Sequence, residues 1–120
     1  MKNKTLVIGA SENPGRYSNM AVRKLLSHGQ EVIAIGKTGG KVDDVVIEKE
    51  LIETDEVDTV TLYLNPAHQQ DYYDYVLSLK PRRIIFNPGT ENDEFEAMAK
   101  KAGIKTMEAC TLVLLSTGQY

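Results

Sequence analysis

The segment best suited to a chemical task is Gly9-Ala10-Ser11, followed at short intervals by Asn13, Arg16 and Ser18. Its first residues are small, so backbone can approach a bound molecule closely, and it leads into an amphipathic stretch. A helix starting there presents unpaired backbone amides, and amides together with the helix dipole favour a phosphate. Arg16 adds a bidentate cationic fork and Ser18 a hydroxyl donor. The competing reading is that Gly9 and Ala10 are small only so that strand and helix can pack, with Arg16 solvated. The loop fails the dinucleotide fingerprint, since G-x-G-x-x-G needs glycine where this chain has Ser11 and Pro14.

A second feature is Gly36-Lys37, directly after the apolar run Glu31-Val32-Ile33-Ala34-Ile35. A site built for NAD usually carries an acidic residue there to hold the ribose 2′-hydroxyl. A lysine suits a phosphorylated ribose instead, which NADP carries at its 2′-position and coenzyme A at its 3′-position. Beside Thr38-Gly39-Gly40, Lys37 is equally readable as a loop cation in water.

Other chemistry finds no matching set. One cysteine and two separated histidines do not make a tetrahedral metal site. Ser11 lacks a G-x-S-x-G setting, so a serine hydrolase is unsupported. His28 falls near a helix end, where its charge complements the dipole, and His68 falls in the first turn of another helix. Tyr72, Tyr73 and Tyr75 have helical spacing and no basic neighbours, which reads as core or interface rather than base stacking. Cys110 reads either as a buried small hydrophobe or as a thiol at the ligand edge, able to exchange with a disulfide.

The elements that must position these residues follow from periodicity. Thr5–Gly9, Glu31–Ile35, Val57–Leu64, Arg83–Phe86 and Ile104–Met107 read as strands. Between them, Val22, Leu25 and Leu26 with Gly29 mark one helix and its left-handed cap. Asn65-Pro66 opens a second helix running to about Leu79, with Tyr72, Tyr75, Val76 and Leu79 on its face. Thr90 with Asp93 boxes the start of a third, whose face is Phe95, Met98, Ala99 and Ala102. In residues 37–56 the reading is a Gly39-Gly40 turn, a short strand at Val45-Val46-Ile47 and a helical turn at Glu48–Glu53. The tail from Thr111 to Tyr120 carries an apolar Leu112–Leu115 that must be buried somewhere. Strands alternating with helices imply a parallel sheet, and in such sheets ligands sit beyond the carboxyl ends of the strands.

Seventeen acidic residues against fourteen basic give a formal charge of −3, so no whole-domain positive field attracts nucleic acid or an anionic membrane. The apolar stretch after Met1-Lys2-Asn3-Lys4 spans only Leu6 to Ala10. A secretory h-region takes roughly 7 to 15 residues and a spanning helix about 20, so a cytoplasmic location is expected.

Taken together, Gly9-Ala10-Ser11 with Pro14, Arg16 and Ser18 resembles the GAS-x-x-P-x-R-x-S opening of small stand-alone coenzyme A-binding domain proteins, relatives of the N-terminal domain of the succinyl-CoA synthetase alpha subunit. Val57-Asp58-Thr59-Val60 resembles that family's V-D-x-V strand, Asn87-Pro88-Gly89 its (Gln/Asn)-Pro-Gly turn, and Ala99–Gly103 with Cys110 its A-x-x-A-G … C ending. The chain departs from the pattern at Ala34-Ile35-Gly36-Lys37, where many members read P-V-x-P, and at Leu64, where others place Arg. The resemblance implies that Gly9, Ala10, Ser11, Asn13, Arg16, Ser18, Ile35, Lys37, Asn65, Pro66, Asn87 and Pro88 hold the ligand.

The expectation is therefore one α/β domain over residues 1–120, a Rossmann-like three-layer αβα fold on a five-stranded parallel sheet. Its expected role is non-enzymatic binding of coenzyme A or acyl-CoA, without metal or catalytic residues. The alternative is an NADP or other adenine-nucleotide domain, acting as sensor or partner-dependent enzyme subunit. Association through the tyrosine helix and the apolar tail is left open.

Overall fold

Four runs rich in β-branched residues, β1 (Lys4–Ile8), β2 (Glu31–Ile35), β5 (Val57–Leu62) and β6 (Arg83–Phe86), form parallel neighbours in one sheet, with the more polar β7 (Lys105–Glu108) parallel to β6 at its edge. The computed structural model describes residues 4–120; residues 1–3, on which the leader reading partly rested, lie outside the described residues. Two further strands, β3 (Gly40–Val42) and β4 (Val45–Glu48), lengthen the sheet beyond β2. The order is β3-β4-β2-β1-β5-β6-β7, so the sheet has seven strands and not the expected five. All pairings are parallel except β3 with β4, a hairpin closed by Asp43-Asp44 with Val42 opposite Val45. Asp43 takes a positive φ of 52° there. Gly39-Gly40 belongs to the approach to this hairpin, and no helical turn forms over residues 48–53.

Alternation along the strands sorts the core onto two faces. Val7, Ala34 and Ile47 pack with Val22 and Leu25 of α1 (Tyr17–Ser27) and Leu115 of α5 (Thr111–Ser116). Leu6, Ile8, Val60, Leu62, Ile84 and Phe86 face the opposite way, toward Val76 of α3 (Tyr73–Leu79) and Phe95 and Ala99 of α4 (Asp93–Lys101). The result is three layers, αβα.

The helix expected from Asn65 to Leu79 is broken into α2 (Pro66–Gln69), a 3-10 turn over Gln70–Tyr72, and α3. Gln69 causes the break by turning inward. Fully buried, its Nε2 donates to the carbonyls of Leu64 and Thr90, both at 2.8 Å, and its Oε1 accepts from Asn92 Nδ2 at 3.0 Å. Tyr73, rather than Tyr72, is then the buried tyrosine, stacked 4.4 Å from Phe95 with its hydroxyl accepting from Asn92. Tyr75 donates to the Ile52 carbonyl, so these tyrosines act in packing. The start of α4 is capped by Asn92, whose side chain accepts from Phe95 N, and not by Thr90, whose hydroxyl donates to the Asn87 carbonyl. Within the α4 face, Phe95 and Ala99 are buried while Ala102 is exposed.

The tail folds as α5, burying Leu114 and Leu115 and leaving Val113 exposed. Beyond it, Tyr120 returns to the sheet, where its hydroxyl bonds that of Thr5 and its ring lies 4.5 Å from the buried Arg83 guanidinium. Burial raises the pKa of Tyr120. Burial likewise pushes Tyr63 up to about 12; its hydroxyl lies beside the Thr61–Thr111 hydroxyl pair without a well-formed bond to either.

These tyrosines keep their protons in the folded state at pH values where the unfolded chain releases them. Stability should therefore hold steady up to the unfolded value near 10 and fall as pH rises from about 10 toward 12. Urea midpoints between pH 8 and 11 test this. Tyr63→Phe should keep or raise stability at pH 8 and blunt the alkaline fall.

Candidate functional site

The strand order reverses at β1: the chain moves outward through β2 and β4, then returns to place β5 on the other side. Such a switch point opens a crevice at the carboxyl ends of the central strands. Here it is held open by tight backbone contacts. Gly9 N and Ala10 N both donate to the Ile35 carbonyl, at 2.9 and 3.0 Å, and Tyr63 N donates to that of Ile8 at 2.9 Å. Gly9 has φ +93°, and a Cβ there would lie 3.0 Å from the Tyr63 backbone. A Cβ on Gly36 would sit 2.2 Å from the Ala10 carbonyl oxygen, so both positions require glycine.

Above these contacts lies a cavity of about 380 Å³. Gly9, Ala10, Ser11, Arg16 and Ser18 form its first wall; Lys37 and Asn65 extend it over β2 and β5, and Pro88 closes it after β6. These are eight of the twelve residues expected at the site. Tyr17, Thr38, Tyr63, Leu64, Gly89 and Thr90 also line it and were missed. Most are immediate chain neighbours of expected residues, which is the signal that could have found them. Tyr17 is 70% exposed despite being a large aromatic.

The other four expected residues do not line the cavity. Asn13 braces the loop: its Oδ1 accepts from Gly15 N at 2.9 Å and its own N–H donates to Ser11 Oγ at 3.1 Å. Ile35 is fully buried in the core, and Pro66 is the exposed first residue of α2. Asn87 is buried and ties three elements together. It donates to Thr61 Oγ1 at 2.6 Å and the Leu62 carbonyl at 2.9 Å, and accepts from Thr111 N at 2.8 Å.

The chemistry presented to the cavity is cationic and amide-rich. Arg16 is the N-cap of α1 but makes no side-chain cap hydrogen bond, and no acidic residue lies in the first turn. First-turn amides without a capping side chain suit an anionic oxygen. The loop before them is fixed by Asn19, whose Nδ2 donates to the Ser11 carbonyl at 3.0 Å, and by Glu12, which accepts from Lys41 N at 2.9 Å. Lys37 is exposed at the cavity edge. Among the described residues no His, Asp or Glu lines the cavity, and exposed His28 and His68 lie at helix ends outside it. The carboxylates of Asp93, Glu96 and Glu108 approach within 4.8 Å of one another, but none of the three lines the cavity.

A second cavity of about 250 Å³ adjoins the first, sharing Tyr17, Tyr63 and Pro88 with it. Asn87, Cys110 and Leu112 complete its wall. Cys110 is half-buried there and is the N-cap of α5.

Comparison with known proteins adds a family and a fold. A family profile described as "CoA binding domain" matches residues 3–116. A crystal structure of an uncharacterized protein is 47% identical, with a TM-score of 0.97, covering 100% of this chain and 99% of its own. A structure from Thermus thermophilus has 23% identity and a TM-score of 0.85, covering 99% of this chain and 91% of its own. A hypothetical protein from Pyrococcus horikoshii OT3 has 23% identity and a TM-score of 0.88, with coverages of 97% and 83%. Among curated proteins no match was found.

The placement of Asn87 makes it a clamp before anything else. Asn87→Ala strands the Leu62 carbonyl, Thr61 hydroxyl and Thr111 amide, and should lower unfolding free energy by about 2–4 kcal/mol. A shifted urea midpoint at unchanged slope is the expected result.

Proposed function

We propose that this chain, which belongs to the CoA-binding domain family, holds coenzyme A or an acyl-CoA in the groove along the carboxyl ends of β2, β1, β5 and β6. The observation that carries this reading is the meeting of Lys37 with Arg16, Ser18 and the uncapped start of α1 around one cavity. In this arrangement Lys37 faces the 3′-phosphate, the α1 amides and Arg16 take the diphosphate, and the pantetheine arm runs past Leu64-Asn65 toward Pro88-Gly89-Thr90. The proposed role is binding without catalysis; among the described residues, the cavity lining holds no carboxylate or histidine.

Lys37 also supports a second reading, NADP or another adenine nucleotide, since a cation after β2 serves a 2′-phosphate equally well. NAD fits worst: Ser11 and Pro14 occupy the glycine positions of its fingerprint, and no acid follows β2.

Calorimetric titration with coenzyme A, dephospho-CoA, NADP and NAD separates the readings. Coenzyme A should bind up to several-fold more tightly than dephospho-CoA, the range for a solvent-screened pair, and Lys37→Ala should erase that difference. Equal affinities unchanged by the substitution would remove Lys37 from the 3′-phosphate. Ser11→Glu, which puts bulk and negative charge into the groove, should abolish binding with little change in the urea midpoint. Normal binding by that variant would move the site elsewhere.

A further inference from the structure

The second cavity gives the groove an apolar annex, and its position relative to the strand ends is informative. From β2, where Lys37 sits, to β7, which leads to Cys110, the sheet crosses four strand spacings, about 19 Å. The annex is lined from the loops after β1, β5, β6 and β7, so a ligand held by Lys37 after β2 enters it only through an arm that runs along the groove. The two cavities share Tyr17, Tyr63 and Pro88, so the annex continues the groove and is not a separate hollow.

The annex wall is mainly apolar, from the Tyr17 and Tyr63 rings, Pro88, Cys110 and Leu112. Its amide side chain, Asn87, is committed on both ends to Thr61, Leu62 and Thr111. The space thus offers shape and apolar surface where the groove offers charge and amides. An engineered apolar cavity of roughly 150 Å³ accepts benzene, with its six carbons. At about 250 Å³ this annex exceeds what a single thiol sulfur fills.

Resting on the coenzyme A reading above, we propose that the annex is an acyl pocket that selects thioesters of short acyl chains, about four to six carbons, over free coenzyme A. A sixteen-carbon chain exceeds the space by the same comparison. Leu112 lines the annex but not the groove, so its size should bear on the annex alone.

The experiment is calorimetric titration with coenzyme A, acetyl-CoA, butyryl-CoA and palmitoyl-CoA. Each methylene buried in the annex should raise affinity up to about fourfold, so butyryl-CoA should bind on the order of tenfold more tightly than coenzyme A. Palmitoyl-CoA should lose that gain. Leu112→Trp should cancel the butyryl advantage while leaving coenzyme A affinity in place, which also shows that the variant is folded. If Trp disrupts the fold, Leu112→Ala is the second variant; it should move the preference to chains longer than butyryl. Alkylation of Cys110, the single cysteine, locates the chain directly. Iodoacetamide should react more slowly with butyryl-CoA bound than with desulfo-coenzyme A bound at equal saturation, the latter carrying no thiol to consume the reagent. Coenzyme A binding with no chain-length preference, or equal Cys110 protection by both ligands, overturns the acyl pocket and leaves the coenzyme reading standing. No binding of any coenzyme A species overturns that reading and the pocket with it.

Discussion

Everything at the carboxyl edge of this sheet depends on how closely three backbones approach one another. The turn after β1 is wedged between the Tyr63 backbone on one side and the end of β2 on the other. A side chain at Gly9 or Gly36 would collide with main-chain atoms that have nowhere to move. Ala10, between those contacts, is buried, and its amide is spent on the Ile35 carbonyl with that of Gly9. Because these hydrogen bonds satisfy the turn internally, the residues that follow are free to project outward. Ser11, Arg16, Tyr17 and Ser18 reach the cavity from a base that cannot shift without breaking the β1–β2–β5 junction.

The far side of the cavity is fixed by side chains instead of by backbone contact. Gln69 joins the loop after β5 to the turn after β6, and Asn87 joins β5, β6 and the start of α5. Both residues are buried amides with their donors and acceptors used, the condition under which a polar group inside a core specifies geometry rather than destabilising it. The cavity floor is thus rigid on both sides, while the groups suited to touch a ligand, Arg16, Tyr17 and Lys37, are exposed and adjustable. On the proposed reading, backbone donors below and exposed cations above suit an anionic ligand.

The central strands were legible in the sequence because buried parallel strands are short apolar runs bounded by turn residues, and the runs at β1, β2, β5 and β6 have little else to be. The β3–β4 hairpin was half hidden. Gly39-Gly40 is the stronger turn signal in the sequence, yet the chain reverses at Asp43-Asp44, where an aspartate accepts positive φ. The broken helix was illegible for a tertiary reason: Gln69 has partners 5 and 21 residues away, which no local pattern reveals. A similar cause explains the site. Residues read from loop position, such as Ser11, Arg16 and Lys37, reach the cavity, whereas Asn13 and Asn87 proved to be braces, because an amide side chain serves a turn as readily as a ligand. Tyr17 and Tyr63 line the cavity without having been among the expected residues.

The structural relatives at 23% identity share the fold at TM-scores of 0.85 and 0.88, so most side chains can change while the backbone path persists. On the proposed reading this bears on which groups hold a phosphate. Lys37 follows Ala34-Ile35-Gly36 in place of the proline-rich turn of the resembling family, and Leu64 stands where others place arginine. The first departure changes backbone character as well as side chains, since it takes in Gly36, and the second removes a cation from the side-chain layer. The second leaves untouched the junction that aims the α1 amides, which is set by Gly9, Gly36 and the Ile35 carbonyl, whereas the first falls on two of its three residues. On the proposed reading, phosphate recognition by amides survives a side-chain change such as that at Leu64, because the donors belong to the main chain and their direction to the fold. On the same reading, the departure at Leu64 alters the balance along the groove by leaving fewer cations over β5.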